Sequence, residues 1–436
     1  MTMQSRPKDS QPQPQGIIPY GRQTIDDDDI HAVAAALRSD YLTSGPEVER
    51  FETEFAAMAG AKHAVAVNSA TAALHLAMKV LGIGSGDRVI TTPNTFVASA
   101  NAAAYVGATP DFSDICPGSW NLDPQQLEEN WKPDAKAVVA VDYAGCPCNM
   151  PEIARIARQH GAKVIEDACH GVGSVFHAEG RPWRTGEHGW ADITTFSFHP
   201  VKTMTTGEGG MLVTDNGEWA DLARRLRSHG ITRAPESFRG LTRPDDWQGS
   251  PQAGFPVDAL RETGPWYYEM QDLGWNYRIT DIQCALGRSQ LRKLPQFIAR
   301  RQEIARRYSE ALADLPWLET PALAEPLVTE ASAHQFHYGA GDVSLHLYTV
   351  QMDFVSLGHS RTRVMELLRS KGVGTQVLYI PVYLQPWYRR TFGYVPGKCP
   401  VAEKFYARAL SLPLFPAMAD EDVDRVISAV RSLTTS

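Results

Sequence analysis

The sequence predicts an α/β fold: a large domain built on a mainly parallel sheet, followed by a smaller C-terminal α/β domain. Three observations carry this reading. Between about residues 60 and 215, short β-rich runs alternate with helical patterns, the order that yields parallel strands joined by crossover helices. The alternation resumes after Pro321. A chain of 436 residues also exceeds the roughly 250–300 that a single core sustains.

The elements follow in order. Residues 1–16 are rich in Gln and Pro and lack the apolar core of a signal peptide, so they read as a disordered tail. The large domain is expected over 17–290, with strands at 63–67, 88–92, 137–141, 163–166, 193–198 and 211–214. Helices are expected between them, among them 70–81 and 151–160, the latter stopped by Gly161. From 234 to 264 the pattern dissolves into Pro, Gly, Asp and Arg, which marks a long loop or insertion. A charged helix covers 285–312. The small domain, 291–436, is expected to hold a strand at 346–352, a helix at 361–371, a strand at 374–380 and a closing helix at 420–433.

Composition excludes several classes. A formal net charge of −8 offers no basic surplus for a nucleic-acid backbone. No segment approaches the roughly 18 uninterrupted apolar residues of a membrane span, so a cytoplasmic protein is expected. Six cysteines are too few for a disulfide framework in so long a chain. Cys146-Pro-Cys148 has the wrong spacing for a zinc ribbon, and no metal site is expected.

Chemistry gathers at the carboxyl ends of the strands, where ligands of open α/β sheets bind. One strand runs Val164-Ile165-Glu166-Asp167 into Ala168-Cys169-His170, and a second, Ile193 to Phe198, runs into His199-Pro200-Val201-Lys202. Alone, an Asp at a strand end is usually a turn or capping residue, and a lone Lys is usually solvated. Together, an acid and a lysine at successive strand ends are what pyridoxal phosphate (PLP) requires. The amine forms a Schiff base with its aldehyde, and the carboxylate keeps its pyridine nitrogen protonated, so that the ring accepts electrons.

A phosphate needs backbone N–H groups at a helix start. Asn68-Ser69-Ala70-Thr71 lies between a strand and a helix, with Ser69 as N-cap, although any helix has a cap. Ser197 could add a hydroxyl. Phe96, after the strand at 88–92, reads either as a ring stacked on the pyridine face or as an ordinary core aromatic. Two glycine-rich segments are set aside. Gly82-Ile83-Gly84-Ser85-Gly86 follows a helix and precedes a strand, the reverse of a dinucleotide fingerprint, and the turn Gly207 to Gly210 lacks the end of a P-loop.

These segments, with Thr206-Gly207-Glu208-Gly209-Gly210 and Asn276-Tyr277-Arg278, closely resemble the DegT/StrS family of sugar aminotransferases over about residues 18–433. That family has the aspartate-aminotransferase architecture (fold type I). The resemblance implies that Lys202 carries the Schiff base, that Asp167 faces the pyridinium, and that His170 lies near the ring oxygen and substrate. It implies that Ala70 and Ser197 bind the phosphate region. It further implies a homodimer in which Asn276 reaches that phosphate across the interface. Tyr20, Tyr41, Leu42, Thr43, His346 and Tyr348 would line a nucleotide-sugar cleft.

Within the family, Ile18-Pro19-Tyr20, Arg227 to Arg233, Gly264 to Tyr268 and Gln376 to Pro381 are most similar to the transaminases of pseudaminic acid biosynthesis. L-glutamate would then be the donor, and a UDP-linked 4-keto-6-deoxy-N-acetylhexosamine would be aminated at C4. Another nucleotide-sugar aminotransferase, acting at C3 or C4 of a dTDP- or GDP-sugar, is the alternative. A PLP-binding regulator is a third reading. The segment 234–258 and the tail are longer than the family pattern, and the segment could reshape a cleft wall.

Overall fold

The computed structural model describes residues 16–239, 264–323 and 334–433. The expected tail, apart from Gly16, and most of the expected loop at 234–264 lie outside the described residues. Two helices, α1 (Asp27–Leu37) and α2 (Pro46–Ala59), come first. Then follow β1 (His63–Val67), α3 (Ala70–Val80), β2 (Arg88–Thr91), α4 (Val97–Tyr105), β3 (Thr109–Phe112) and α5 (Pro124–Glu129). Next are β4 (Ala135–Val141), α6 (Met150–Gln159), β5 (Lys163–Asp167), a hairpin β6 (Val175–Ala178) and β7 (Arg181–Arg184), β8 (Ile193–Ser197) and β9 (Gly210–Thr214).

One seven-stranded sheet runs β1-β9-β8-β5-β4-β2-β3. Only β9 is reversed, antiparallel to both neighbours, and the remaining pairs are parallel. Every residue of β8 and β9 is buried, as expected of strands covered on both faces. β3 was not among the expected strands. Its sequence, Thr-Pro-Asp-Phe, carries a proline, which a sheet accepts at an edge, and β3 is an edge strand.

The chain continues through α7 (Gly217–Leu226), a two-residue pair β10 (Ile231–Thr232) and β11 (Glu269–Met270), and a long helix α8 (Asp281–Leu312). Thr280 and Gln283 close a capping box at its start, which sets the helix end four residues earlier than the sequence pattern suggested. Position 290 falls inside α8, so one continuous helix crosses the boundary expected between the domains. Beyond it come β12 (Leu318–Glu319), β13 (Tyr348–Met352), α9 (Arg361–Ser370), α10 (Pro386–Phe392), α11 (Pro400–Arg408), β14 (Ala409–Leu412) and α12 (Asp420–Arg431).

β12, β13 and β14 form a three-stranded antiparallel sheet. The expected strand at 374–380 is not one. Only Gln376 pairs, as a single bridge to Ser411; two residues on, where an antiparallel ladder would bond next, the Leu378 carbonyl accepts from Tyr143 Oη at 2.7 Å instead. No helix of the described residues is long and apolar enough to cross a membrane.

Candidate active site at the strand ends

The parallel strands bring three chain segments to one end of the sheet: the start of α3 after β1, Asp167 closing β5, and the turn after β8 that carries Lys202. Ser69 caps α3 by accepting from Ala72 N at 3.2 Å. The N–H groups of Ala70 and Thr71, first in that helix, have no carbonyl partner within it and, with the positive end of the helix dipole, suit an anion. β9 pins this turn from behind. A Cβ on Gly210 would stand 2.5 Å from Ala70 N and from Ser69 C, so glycine lets the strand run against the helix start. Gly210 pairs with Ser197, which sets the Ser197 hydroxyl at the same level.

Asp167 is buried. Ser99 Oγ donates to its Oδ2 at 2.6 Å and Cys169 N–H to its Oδ1 at 3.2 Å. Ser99 is on the first turn of α4, whose N-cap is Phe96. Phe96 is 59% exposed, which rules out a core role and leaves its ring free to cover a bound group. Lys202 is half-buried, and desolvation pulls its amine below the usual lysine range, against the opposing pull of Cys169 and Asp167. A lysine so placed loses its proton more easily and becomes a nucleophile.

His170 is buried between two rings, His346 at 4.4 Å and Tyr379 at 6.1 Å. Desolvation, and then the nearby Lys202, hold its imidazole well below its ordinary pKa, so it is neutral near pH 7. Its Nδ1 accepts from Ala144 N–H at 3.3 Å, and its Nε2 meets the Tyr379 hydroxyl at 3.2 Å. Behind Asp167, burial raises the carboxyl of Glu166 to about 7, despite hydrogen bonds from Thr194 and Gly186. Asp142, also buried, is raised as well, by desolvation and then by Glu166.

The structure therefore brings Ser69, Ala70, Thr71, Phe96, Asp167, His170, Ser197 and Lys202 to one end of the sheet, with His346 against His170. Tyr20 packs with Tyr379 on a shared apolar cluster. Asn276 is exposed, and its carbonyl accepts from Asn68 Nδ2 at 3.3 Å, beside the α3 start. Tyr41 and Leu42 are exposed, and Thr43 bridges Thr280 at the head of α8; among the described residues no hydrogen bond or ring contact joins them to Lys202 or His170. Tyr348 corrects the sequence reading. It is fully buried in the core around β13, with its hydroxyl on Ser309 at 2.8 Å, because that strand is covered on both faces and leaves no side chain for a cleft.

Ser99 and Tyr379 escaped the sequence reading. A serine within the Ala-rich run Val97 to Tyr105 was the available signal for the first. Tyr379 lies within Gln376 to Pro381, a run that carried the resemblance, but no role was expected of it there.

As a donor set, these residues suit the three ends of pyridoxal phosphate. Free N–H groups and Ser197 meet a phosphate, a hydrogen-bonded carboxylate meets a pyridinium, and a desolvated amine meets an aldehyde.

Comparison with known proteins agrees. The model of the DegT/DnrJ/EryC1/StrS aminotransferase family matches residues 23–431. The spore coat polysaccharide biosynthesis protein SpsC of Bacillus subtilis (strain 168) is 41% identical over 417 residues, 95% of this chain and 97% of SpsC. Helicobacter pylori PseC, an aminotransferase involved in the biosynthesis of pseudoaminic acid, superposes with a TM-score of 0.79 at 29% identity, covering 96% of this chain and 99% of PseC. The PLP form of Spr1654 from Streptococcus pneumoniae, a sugar aminotransferase by its description, superposes with a TM-score of 0.76 at 26% identity, covering 96% of this chain and 98% of Spr1654.

Proposed function

Because the chain belongs to the DegT/DnrJ/EryC1/StrS aminotransferase family, a family of PLP-dependent sugar aminotransferases, we propose that it moves the amino group of L-glutamate to C4 of a UDP-linked 4-keto-6-deoxy-N-acetylhexosamine. The product would be UDP-4-amino-4,6-dideoxy-N-acetyl-β-L-altrosamine, of pseudaminic acid biosynthesis. The observation that carries the chemistry is Lys202 set beside Asp167 and His170 at the strand ends. The likeness to PseC supports the choice of sugar.

Pyridoxal phosphate, when bound, supplies an electron sink for the substrate carbon and carries the amino group between substrates. Lys202 Nζ would hold it covalently and, when free, would accept the proton from the α-carbon of glutamate. Asp167, fixed by Ser99 and Cys169 N–H, keeps the ring nitrogen protonated. The first turn of α3 and Ser197 hold the phosphate, joined in a cytoplasmic homodimer by Asn276 of the partner subunit. Phe96 would cover the ring, and Tyr20, Tyr41, Leu42, Thr43 and His346 would border the nucleotide-sugar cleft.

Lys202→Ala is expected to abolish covalent cofactor attachment and transamination; full activity with an unchanged absorbance band would overturn the assignment. A second reading has its own support in the 41% identity to SpsC: amination at C3 or C4 of another nucleotide sugar, dTDP- or GDP-linked, for a surface polysaccharide. Mass detection of amine products from a panel of keto-sugar nucleotides decides between them. Cofactor colour without glutamate-dependent turnover would leave only a regulatory binder.

A further inference from the structure

Tyr379 stands at the site with its hydroxyl 3.2 Å from His170 Nε2. Three ties fix the strap that carries it: Gln376 bridges Ser411, Leu378 O accepts from Tyr143 Oη at 2.7 Å, and Val382 N donates to Pro93 O at 3.1 Å. Its ring lies 6.3 Å from that of Phe96 and 6.1 Å from that of His170. Like Tyr20, it packs against the apolar cluster around Tyr143 and Val382, and it remains partly open to solvent. The phenol is thus held rigidly in the space between Phe96 and His170.

The direction of its hydrogen follows from His170. Ala144 N–H can only donate, so His170 Nδ1, at 3.3 Å from it, is an acceptor and carries no hydrogen. A neutral imidazole then bears its proton on Nε2. That N–H donates to Tyr379 Oη at 3.2 Å. The oxygen is occupied as an acceptor, and the phenol's own hydrogen turns away from His170 and into the cleft. Burial also keeps the phenol protonated, raising its pKa well above the ordinary value. Tyr379 therefore enters the step as a proton donor.

We propose that Tyr379 is a catalytic residue for the second substrate, donating its hydroxyl hydrogen to the carbonyl oxygen of the keto-sugar while His170, tethered to Ala144 N–H, orients it. The inference rests on the keto-sugar reading above. When an amine nitrogen replaces that oxygen, a C–N bond forms, the C–O bond breaks, and the oxygen leaves as water with two protons. Tyr379 lends one of them. The nitrogen gives up two protons in becoming doubly bonded, one to the departing oxygen and one back to the phenol, so Tyr379 ends as it began and His170 Nε2–H steadies its oxygen in between.

Tyr379→Phe keeps the ring and removes the hydroxyl, whose one described partner is His170. It is tested as the holoenzyme, with an unchanged thermal midpoint and cofactor absorbance as the fold check. Single-turnover rates are then compared for the two half-reactions, with glutamate and with the keto-sugar nucleotide that the wild type turns over. Loss of one preorganised donor at an oxygen gaining charge costs about 10²-fold or more. The expected result is a fall of that size with the keto-sugar, at least ten times larger than any fall with glutamate. Equal losses in both halves, or none, overturn the role of Tyr379. A wild type active with glutamate but inert with every keto-sugar nucleotide overturns the functional reading, and this inference with it.

Discussion

Ser99→Ala tests whether the carboxylate at the end of β5 is positioned for a ring nitrogen. The substitution deletes the hydroxyl that donates to Asp167 Oδ2 at 2.6 Å and leaves α4 intact, since Ala is the best helix former. Asp167 keeps the longer contact, Cys169 N–H at 3.2 Å. A hydrogen bond to a charged group contributes about 1.5–3 kcal/mol, and each ~1.4 kcal/mol is a factor of ten. Cofactor affinity or the glutamate half-reaction should therefore fall about 10- to 100-fold. Thr95 Oγ1, 2.7 Å from Ser99 Oγ, loses a partner in a buried place, so a lower thermal midpoint is expected too. Affinity is read by titrating the apoenzyme with pyridoxal phosphate, and the half-reaction by stopped-flow absorbance on the saturated holoenzyme, which separates chemistry from stability. Affinity and rate both within twofold of wild type would refute the idea that Ser99 holds Asp167 in place.

Two further outcomes follow from packing and charge. Gly210→Ala would drive a methyl group to 2.5 Å from Ala70 N; overpacking of this kind costs about 1–3 kcal/mol, and the displaced helix start should weaken cofactor binding as well, both readable by thermal unfolding and cofactor titration. Glu166 binds its proton more tightly in the folded chain, with its pKa raised to about 7 from the 4.5 of a free side chain, so its folded form gains protons that the unfolded form lacks and stability falls as pH rises through that window. Glu166→Gln, neutral at every pH, should flatten part of that fall between about pH 5 and 7; the remainder belongs to Asp142, which is raised in the same direction. Parallel stability curves for the two proteins across the range would contradict the buried proton.

The reactive pair was legible because its signals are local. Asp167 closes one strand and Lys202 follows the turn after another, and the carboxyl ends of strands mark the ligand side of a parallel sheet. Ser99 and Tyr379 belong to the same site but come from 68 residues upstream of Asp167 and 209 residues downstream of His170. No periodicity joins such distant positions. The errors have the same origin. Gln376 to Ile380 has the composition of a strand, yet composition does not report whether a neighbour is in register, and here only one bridge forms. Tyr348 sits where an alternating strand would offer a side chain to a cleft, but β13 is buried at every position. Whether a strand has one covered face or two is decided by what packs on it, and this is a tertiary fact.

The second sheet reaches the active site by a route that local patterns conceal. α8 starts beside the large sheet and ends in a core that both sheets share, and its Arg301 is wholly buried, with Nη1 donating to Leu414 O at 2.9 Å and to Leu345 O and His346 O at 3.3 Å. Among the described residues no carboxylate pairs with it. Desolvation accordingly lowers its pKa to about 9, and carbonyl dipoles take the place of a counter-ion. Those carbonyls belong to the segment leading into β13 and to the one leaving β14, so a single guanidinium ties both to the helix. His346 is in that first segment, and its ring lies 4.4 Å from His170. Its position against His170 is therefore set by a helix that packs on residues of both sheets. The segment before β13 meets His170 through His346, whose backbone Arg301 holds, whereas Tyr348, which the strand pattern had offered, turns into the core.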